Sequence, residues 1–235
     1  METAIQTYYE VEEQFFSNLR KKSTDNLLFY CATGSLARKE IIPNWSDIDI
    51  ILIYGTWNEH VFSLLRETLF LNTTQIKIGA TLYSLNEFNS YKYQDPKTFN
   101  AIRNIIRGVY TPRIWDQSVI VREMRPERIK EINRVEFAKT LHSFKRELLQ
   151  YPELNERAVY KALTIMLRIL LTEKGLATDG YSNIWKNIDK VFANLPLPHL
   201  TPQEILLHPE KIEERFIHYV NFLKWIEKIN EKNNH

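Results

Sequence analysis

Leu27-Leu-Phe-Tyr-Cys-Ala-Thr-Gly-Ser-Leu-Ala-Arg-Lys-Glu-Ile-Ile-Pro-Asn-Trp-Ser-Asp-Ile-Asp-Ile-Ile-Leu-Ile-Tyr54 is the stretch whose reading decides the fold. It holds two short apolar runs. Leu27 to Ala32 reads as a strand that runs into Thr33-Gly34-Ser35, and Ile48 to Tyr54 reads as a second strand with Asp47 and Asp49 at its start. Side chains of a strand alternate faces, so Asp47 and Asp49 are expected on one face and Ile48 and Ile50 on the other. Two carboxylates side by side repel each other. A divalent cation removes that cost, and hard oxygen ligands suit Mg²⁺, which keeps several waters and accepts phosphate oxygens as further ligands. Gly34 permits a tight turn and the close approach of another group. Ser35 offers a hydroxyl and an N–H to an anion, and Arg38, one turn on, is within reach of the same phosphate. The stretch reads as phosphate on one side and metal on the other.

With 235 residues the chain is long enough for one large or two small domains. Hydrophobic residues make up 44% and charged residues 26%, an ordinary globular balance. A net charge of +2 gives no argument for a nucleic-acid surface. A single cysteine, Cys31, excludes an intrachain disulfide and reads as a small buried residue. No apolar run reaches membrane-spanning length and no secretory leader is visible, so the expected compartment is the cytoplasm and no membrane is expected as partner. The six histidines show no metal-ligand spacing.

Outward from the opening stretch, apolar spacing predicts a helix over Glu2 to Lys22 with Ile5, Tyr8, Tyr9, Val11, Phe15 and Leu19 inward, and a stop at Ser23 to Asn26. A short helix is expected at Leu36 to Lys39, then a helix over Glu59 to Phe70 with Val61, Leu64, Leu65 and Leu69 inward. A third strand is expected over Gln75 to Tyr83, followed by a helix start in which Ser84 and Glu87 form a capping box. Pro96 to Arg107 reads as a helix and 108–121 as a hairpin or bent strand, with Ile114-Trp115-Asp116 as the last strand of the sheet. From Arg125 onward the pattern is helical: Pro126 to Leu149, a segment opening at Pro152, Ala158 to Lys174 with Ala162, Ile165, Met166, Ile169 and Leu170 periodic, Ser182 to Asn194, a proline-rich bend over Leu195 to Pro202, and a closing helix over Pro209 to Lys232. Gly175 is the expected helix stop, and the tail to His235 is expected to fray. The expected fold class is α+β or α/β: a mixed sheet flanked by helices over 1–123, then an all-helical domain over 124–235.

The spacing of Thr33-Gly34-Ser35, eleven residues, then Asp47-Ile48-Asp49-Ile50 resembles the nucleotidyltransferase superfamily that includes DNA polymerase β and the aminoglycoside nucleotidyltransferases. Ala37-Arg38 and Ser46 match a form common in its bacterial branch, as does the strand ending Ser84-Leu-x-Glu-Phe88, whereas Lys39 stands where that branch often has Gly. The segments Tyr160-Lys-Ala-Leu and Leu171-Thr-Glu-Lys-Gly-Leu-Ala-Thr resemble the C-terminal helical domain of the streptomycin/spectinomycin-type adenylyltransferases. The lysine which that family carries after the glycine turn is replaced here by Thr178-Asp179.

The resemblance implies transfer of a nucleoside monophosphate from Mg²⁺-bound NTP, with ATP the expected nucleotide, to an acceptor hydroxyl, that of an aminoglycoside-type small molecule or equally of a protein side chain or an RNA end. In that picture Asp47 and Asp49 are the catalytic and metal-binding carboxylates, and Gly34, Ser35, Arg38, Ser46 and Lys161 contact the nucleotide. Arg157, Tyr160 and Lys161 share one helix face by spacing, with a solvated face as the plainer reading. The family's third carboxylate, on a neighbouring strand, is expected near Lys77 or Gly79, and the strand Gln75 to Tyr83 has no Asp or Glu. Lys77 is expected either to face solvent, to pair with Asp49, or to act in the site. Glu87 and Asp116 are weaker substitutes for the missing acid. The missing acid also supports a degenerate nucleotide-binding or protein-interaction module, including a toxin–antitoxin-type or homodimeric assembly.

Overall fold

The computed structural model describes residues 2–23, 26–70, 74–90, 96–176, 178, 180–192 and 194–233. Thr24 and Asp25 of the expected stop after the first helix, Asp179, and the last two residues of the tail lie outside the described residues. The chain is α+β and divides into two compact units, Met1–Ile129 and Lys130–His235.

The first unit is built on four strands: β1 (Leu27–Thr33), β2 (Ile48–Tyr54), β3 (Ile78–Ser84) and β4 (Ile114–Trp115). Their order across the sheet is β3-β2-β1-β4. β1 runs antiparallel to β2 and to β4, and β2 runs parallel to β3, so the sheet is mixed. β4 has only two residues, shorter than the segment read as a hairpin; Trp115 and Ile114 pair with Phe29 and Tyr30.

β2 is buried on both faces, which is why it reads as a nearly unbroken apolar run. On one face Tyr30, Ile48, Ile50, Leu52 and Tyr54 join Tyr8, Val11, Phe15 and Leu19 of α1 (Glu2–Lys22) and Val61, Leu64 and Leu65 of α3 (Glu59–Phe70). On the other, Phe29, Cys31, Ile51 and Ile53 meet Phe88 of α4 (Leu85–Ser90) and Ala101, Ile102 and Ile105 of α5 (Pro96–Ile106). Two details of the expected stripes differ. Thr68 rather than Leu69 closes the buried row of α3, because 61, 64, 65 and 68 repeat at helical spacing and Leu69 lies farther round, 37% exposed. In α1 the stripe widens to take in Phe16 and the carboxylate of Glu12.

Between β1 and β2 lies α2 (Gly34–Ala37), a single turn that starts two residues before the expected Leu36. β3 starts at Ile78, three residues later than Gln75. The capping box at the start of α4 forms as the spacing predicts: the Ser84 N–H donates to Glu87 Oε2 at 2.7 Å, and the Glu87 N–H donates to Ser84 Oγ at 3.2 Å.

The second unit is helical: α6 (Pro126–Leu148, whose first turn belongs to the first unit), α7 (Glu156–Glu173), α8 (Tyr181–Val191), α9 (Pro202–Leu207), a 3₁₀ turn at Pro209–Lys211 and α10 (Ile212–Asn233). α7 is buried on nearly all sides; Val159, Leu163, Leu167 and Leu171 are closed off along with Ala162, Met166 and Ile169, while Ile165 and Leu170 are only partly covered. Gly175, at φ +73°, closes α7 as expected, and the Leu176 N–H returns to the Leu171 carbonyl at 3.0 Å. α9 begins at Pro202, the last residue of the expected bend, and fills the stretch between that bend and the closing helix. Thr201 and Glu204 cap it reciprocally and Pro202 occupies its first turn, so Thr-Pro-x-Glu is the local signal that the proline-rich reading passes over. Among the described residues no helix is long and apolar enough to cross a membrane.

Candidate cation and phosphate site at the start of β2

Asp49 is the one polar residue inside β2, and the pairing of the strands decides what stands beside it. It lies opposite Thr33 on β1 and opposite Gly79 on β3. The Thr33 hydroxyl donates to the Asp49 carbonyl at 3.2 Å, which ties the end of β1 to β2 just before the chain turns at Gly34.

Two glycines make room for the Asp49 carboxylate. Gly34 has φ +66°, and a Cβ built on it would stand 2.8 Å from Asp49 Oδ2. A Cβ on Gly79 would stand 3.4 Å from Asp49 Oδ1. Only a residue without a side chain fits the first position without moving the carboxylate, and the second is tight. The carboxylate is 29% exposed, and Lys97, in the first turn of α5, donates its Nζ to Oδ1 at 2.7 Å. The site is a half-open anion, shaped by two absent side chains and balanced by a long, half-exposed cation.

The other expected residues stand as follows. Asp47 precedes the first residue of β2 and is partly buried. The Ile48 N–H, between the two aspartates, donates to the Lys77 carbonyl at 2.9 Å, so Lys77 enters the sheet beside Asp47 through its backbone. Its side chain belongs to an exposed residue, and the lysine that pairs with Asp49 is Lys97. Ser35 lies in α2, partly buried, and its carbonyl accepts the Glu40 N–H at 2.8 Å. The Ser46 hydroxyl accepts the Ile42 N–H at 2.9 Å and its carbonyl accepts the Tyr8 hydroxyl at 3.2 Å, so this serine braces the loop that delivers the aspartates. Arg38 donates from Nε to Glu40 at 2.9 Å and from Nη1 to the Tyr110 hydroxyl at 2.8 Å, which ties α2 to the segment after α5. Lys161 lies on α7 of the helical unit, partly buried. Tyr160, read with it as one face, is fully buried and donates to the Leu200 carbonyl at 2.9 Å; it belongs to the core.

Neither substitute for the third acid reaches Asp49 in the described contacts. Glu87 is taken up by its cap and by the Trp57 indole N–H at 2.9 Å, and these donors hold its carboxyl below the usual range, the Ser84 backbone N–H most of all. Asp116 accepts from the Ser118 N–H and hydroxyl in a turn after β4, and its own N–H bonds the Leu28 carbonyl. Thr33, opposite Asp49, lies five residues farther along β1 from Leu28, about 17 Å at a strand's rise per residue. The position opposite Asp49 carries no acid because it is Gly79. Among the described residues no three His, Cys, Asp or Glu side chains gather as a metal cage.

Do the residues fit a divalent cation? The glycine cradle and the ammonium at hydrogen-bonding distance show that the Asp49 carboxylate takes a cation as neighbour, and a carboxylate oxygen suits a Mg²⁺ that takes its remaining ligands from water and phosphate. They fit a cation brought with a phosphate better than one held by protein alone. Lys97 is the site residue that sequence reading misses: it lies 48 residues beyond Asp49, and no local pattern links them. Gly79, a glycine inside a strand pattern, is the signal that marks the close approach. No family model matches the chain, and no curated protein matches it.

Proposed function

We propose that the first unit binds a nucleoside triphosphate with Mg²⁺ and acts as a nucleotidyltransferase, moving a nucleoside monophosphate to the hydroxyl of a small acceptor of the aminoglycoside type. The observation that carries the reading is the Asp49 carboxylate, held at the start of β2 in the space left by Gly34 and Gly79. It lies opposite Thr33, the last residue of the antiparallel partner strand before the Gly-Ser turn, the arrangement that the resemblance of Gly34-Ser35 and Asp47-Ile48-Asp49 implies.

In this reading Asp47 and Asp49 hold the metal, which when bound neutralises charge on the triphosphate. Gly34 and Ser35 line the turn that the phosphates approach. Arg38 and Ser46 act chiefly by holding that turn and the aspartate loop in shape. The transfer forms a bond between acceptor oxygen and the α-phosphorus, breaks the bond from that phosphorus to its bridging oxygen, releases pyrophosphate and sheds the hydroxyl proton.

A second reading is a degenerate module that binds nucleotide, or a protein partner, without transfer. It is favoured by one observation: the position opposite Asp49 is Gly79, so no third acid stands there to receive the proton. Calorimetric titration of ATP and GTP, with and without Mg²⁺, on wild type and on the Asp47→Asn/Asp49→Asn double variant tests both. Metal-dependent binding lost in the variant supports the transferase, to be followed by acceptor screening for pyrophosphate release. Metal-independent binding supports the module, and no binding of either nucleotide rejects both nucleotide-binding readings. Gel filtration tests the homodimer.

A further inference from the structure

Lys97 is absent from every motif that pointed to the site, yet it is the side chain that meets the Asp49 carboxylate. Its ammonium lies 2.7 Å from Oδ1, on the oxygen that also faces Gly79. A lysine has no geometric claim on a carboxylate: it is a compact charge on a flexible four-carbon stem, with no bidentate fork to lock it. At 50% exposure for Lys97 and 29% for Asp49 the pair is weakly held, as ion pairs near solvent are. Nor does the fold need the pair. The core beneath is closed by Ile51, Ile53, Phe88 and Ile102 of β2, α4 and α5, none of which depends on that contact. What the pair does is keep one positive charge on the Asp49 carboxylate.

Resting on the reading of this site as a Mg²⁺–phosphate site, we propose that Lys97 is a phosphate-binding residue parked on Asp49, displaced by the incoming divalent cation and taken over by the phosphate that the cation brings. The cation and the ammonium compete for one carboxylate oxygen. The cation carries twice the charge and wins Asp49, while the ammonium, left beside a polyanion, gains an oxygen partner there. Binding of bare metal is thereby held weak, and binding of metal with polyphosphate is favoured. One lysine thus biases the site toward the complete ligand.

The proposal makes two predictions of opposite sign for one substitution. In Lys97→Met the competing charge is gone, so Mn²⁺ alone, followed by electron paramagnetic resonance of the free ion, binds about tenfold tighter than to wild type. Inorganic tripolyphosphate in saturating Mg²⁺, followed by calorimetry, binds about tenfold weaker, because its lysine partner is missing. Lys97→Arg keeps the charge and stays within about threefold of wild type for Mn²⁺. Methionine is a good helix former in an exposed first turn, and thermal melts check that both variants fold. A shift of both affinities in the same direction, or no shift in either, overturns the role of Lys97. Asp49→Asn separates that failure from failure of the site itself. If Asp49→Asn abolishes Mn²⁺ binding while Lys97→Met changes nothing, the metal site stands and only the lysine's role falls. If wild type and Lys97→Met bind neither Mn²⁺ nor tripolyphosphate, or if Asp49→Asn binds both as wild type does, the site reading falls and takes this inference with it.

Discussion

Among the carboxylates of the first unit that meet a basic side chain, Glu12 and Asp49 do so in opposite ways. Glu12 of α1 is closed off, its side chain 3% exposed, with the Tyr30 hydroxyl at 2.8 Å and Arg113 Nη2 at 2.6 Å; the same guanidinium holds Glu13 at 2.6 Å and lies 4.8 Å over the Phe16 ring. Asp49 is half open, meets one half-exposed ammonium, and fills the space that two glycines leave beside it. The first arrangement is saturated at Glu12, whose oxygens are taken by the Tyr30 hydroxyl and the Arg113 guanidinium inside a closed-off pocket of the core. The second leaves its carboxylate partly open and meets a single cation half exposed to solvent. An ion pair by itself says little about function; the number of its partners and the space around it tell a tether from a site. The helical unit repeats the tether, with Glu156 receiving Arg215 Nη2 at 2.7 Å and the Tyr219 hydroxyl at 2.9 Å.

The contrast is most easily broken at Arg113. Burial pushes the Glu12 carboxyl above its usual value, and the Tyr30 hydroxyl and the Arg113 guanidinium pull the other way. Arg113→Met leaves the buried carboxylate without its counter-charge and should cost about 3 kcal/mol of unfolding free energy, the low end for a broken buried pair because Arg113 is partly exposed. The sign with pH is set by the raised value. Protonated Glu12 needs no counter-charge, so the loss shrinks as pH falls into the carboxylate range and is greatest at neutral pH. Urea melts at pH 7 and pH 4.5 measure it; an equal loss at both would remove Glu12 from the account.

Gly34→Ala comes next. It places a Cβ where φ is +66° and Asp49 Oδ2 is 2.8 Å away, so about 2 kcal/mol is expected for the backbone conformation alone. Because the carboxylate must also move, Mn²⁺ and nucleotide binding should fall together with stability. Unchanged binding in a folded Gly34→Ala protein would show that the cradle is incidental.

Glu87→Gln tests whether that acid is only a cap. A loss of about 1 kcal/mol is expected, with nucleotide binding unchanged. The folded carboxyl lies below the usual 4.5, so its stabilisation is present above that value and fades as pH falls through the lowered one. The Gln variant should lack this part of the acid limb in a pH series of thermal melts. Smallest of all is Lys97→Met, expected within about 0.5 kcal/mol of wild type, as for an exposed pair. A loss comparable with that of Arg113→Met would make Asp49–Lys97 a second tether and erase the contrast.

Cys31 gives the buried face its own check. Burial pushes its thiol up to about 12, so it should resist alkylation at pH 8 in the native protein and react once the sheet is unfolded in urea.

How much of this is written along the chain? Local order is. Apolar spacing, the Ser84–Glu87 box, Gly175 and the nearly unbroken apolar run Ile48–Tyr54 carry their own secondary structure, because capping, turn conformation and strand burial each depend on residues a few positions apart. The pairing of a Gly-Ser turn with Asp-Ile-Asp is legible too, since both lie within one stretch and share two adjoining strands. What only the tertiary structure decided is who faces whom. The register of β2 on β3 sets Gly79, and not an acid, opposite Asp49; the start of α5 sets Lys97, and not Lys77, on its oxygen; and the packing of α1 on the sheet turns Glu12 inward to meet Arg113, 101 residues away. Side-chain meetings at such separation leave no period in the sequence, because they are fixed by strand register and helix placement, which follow from the burial of the whole core.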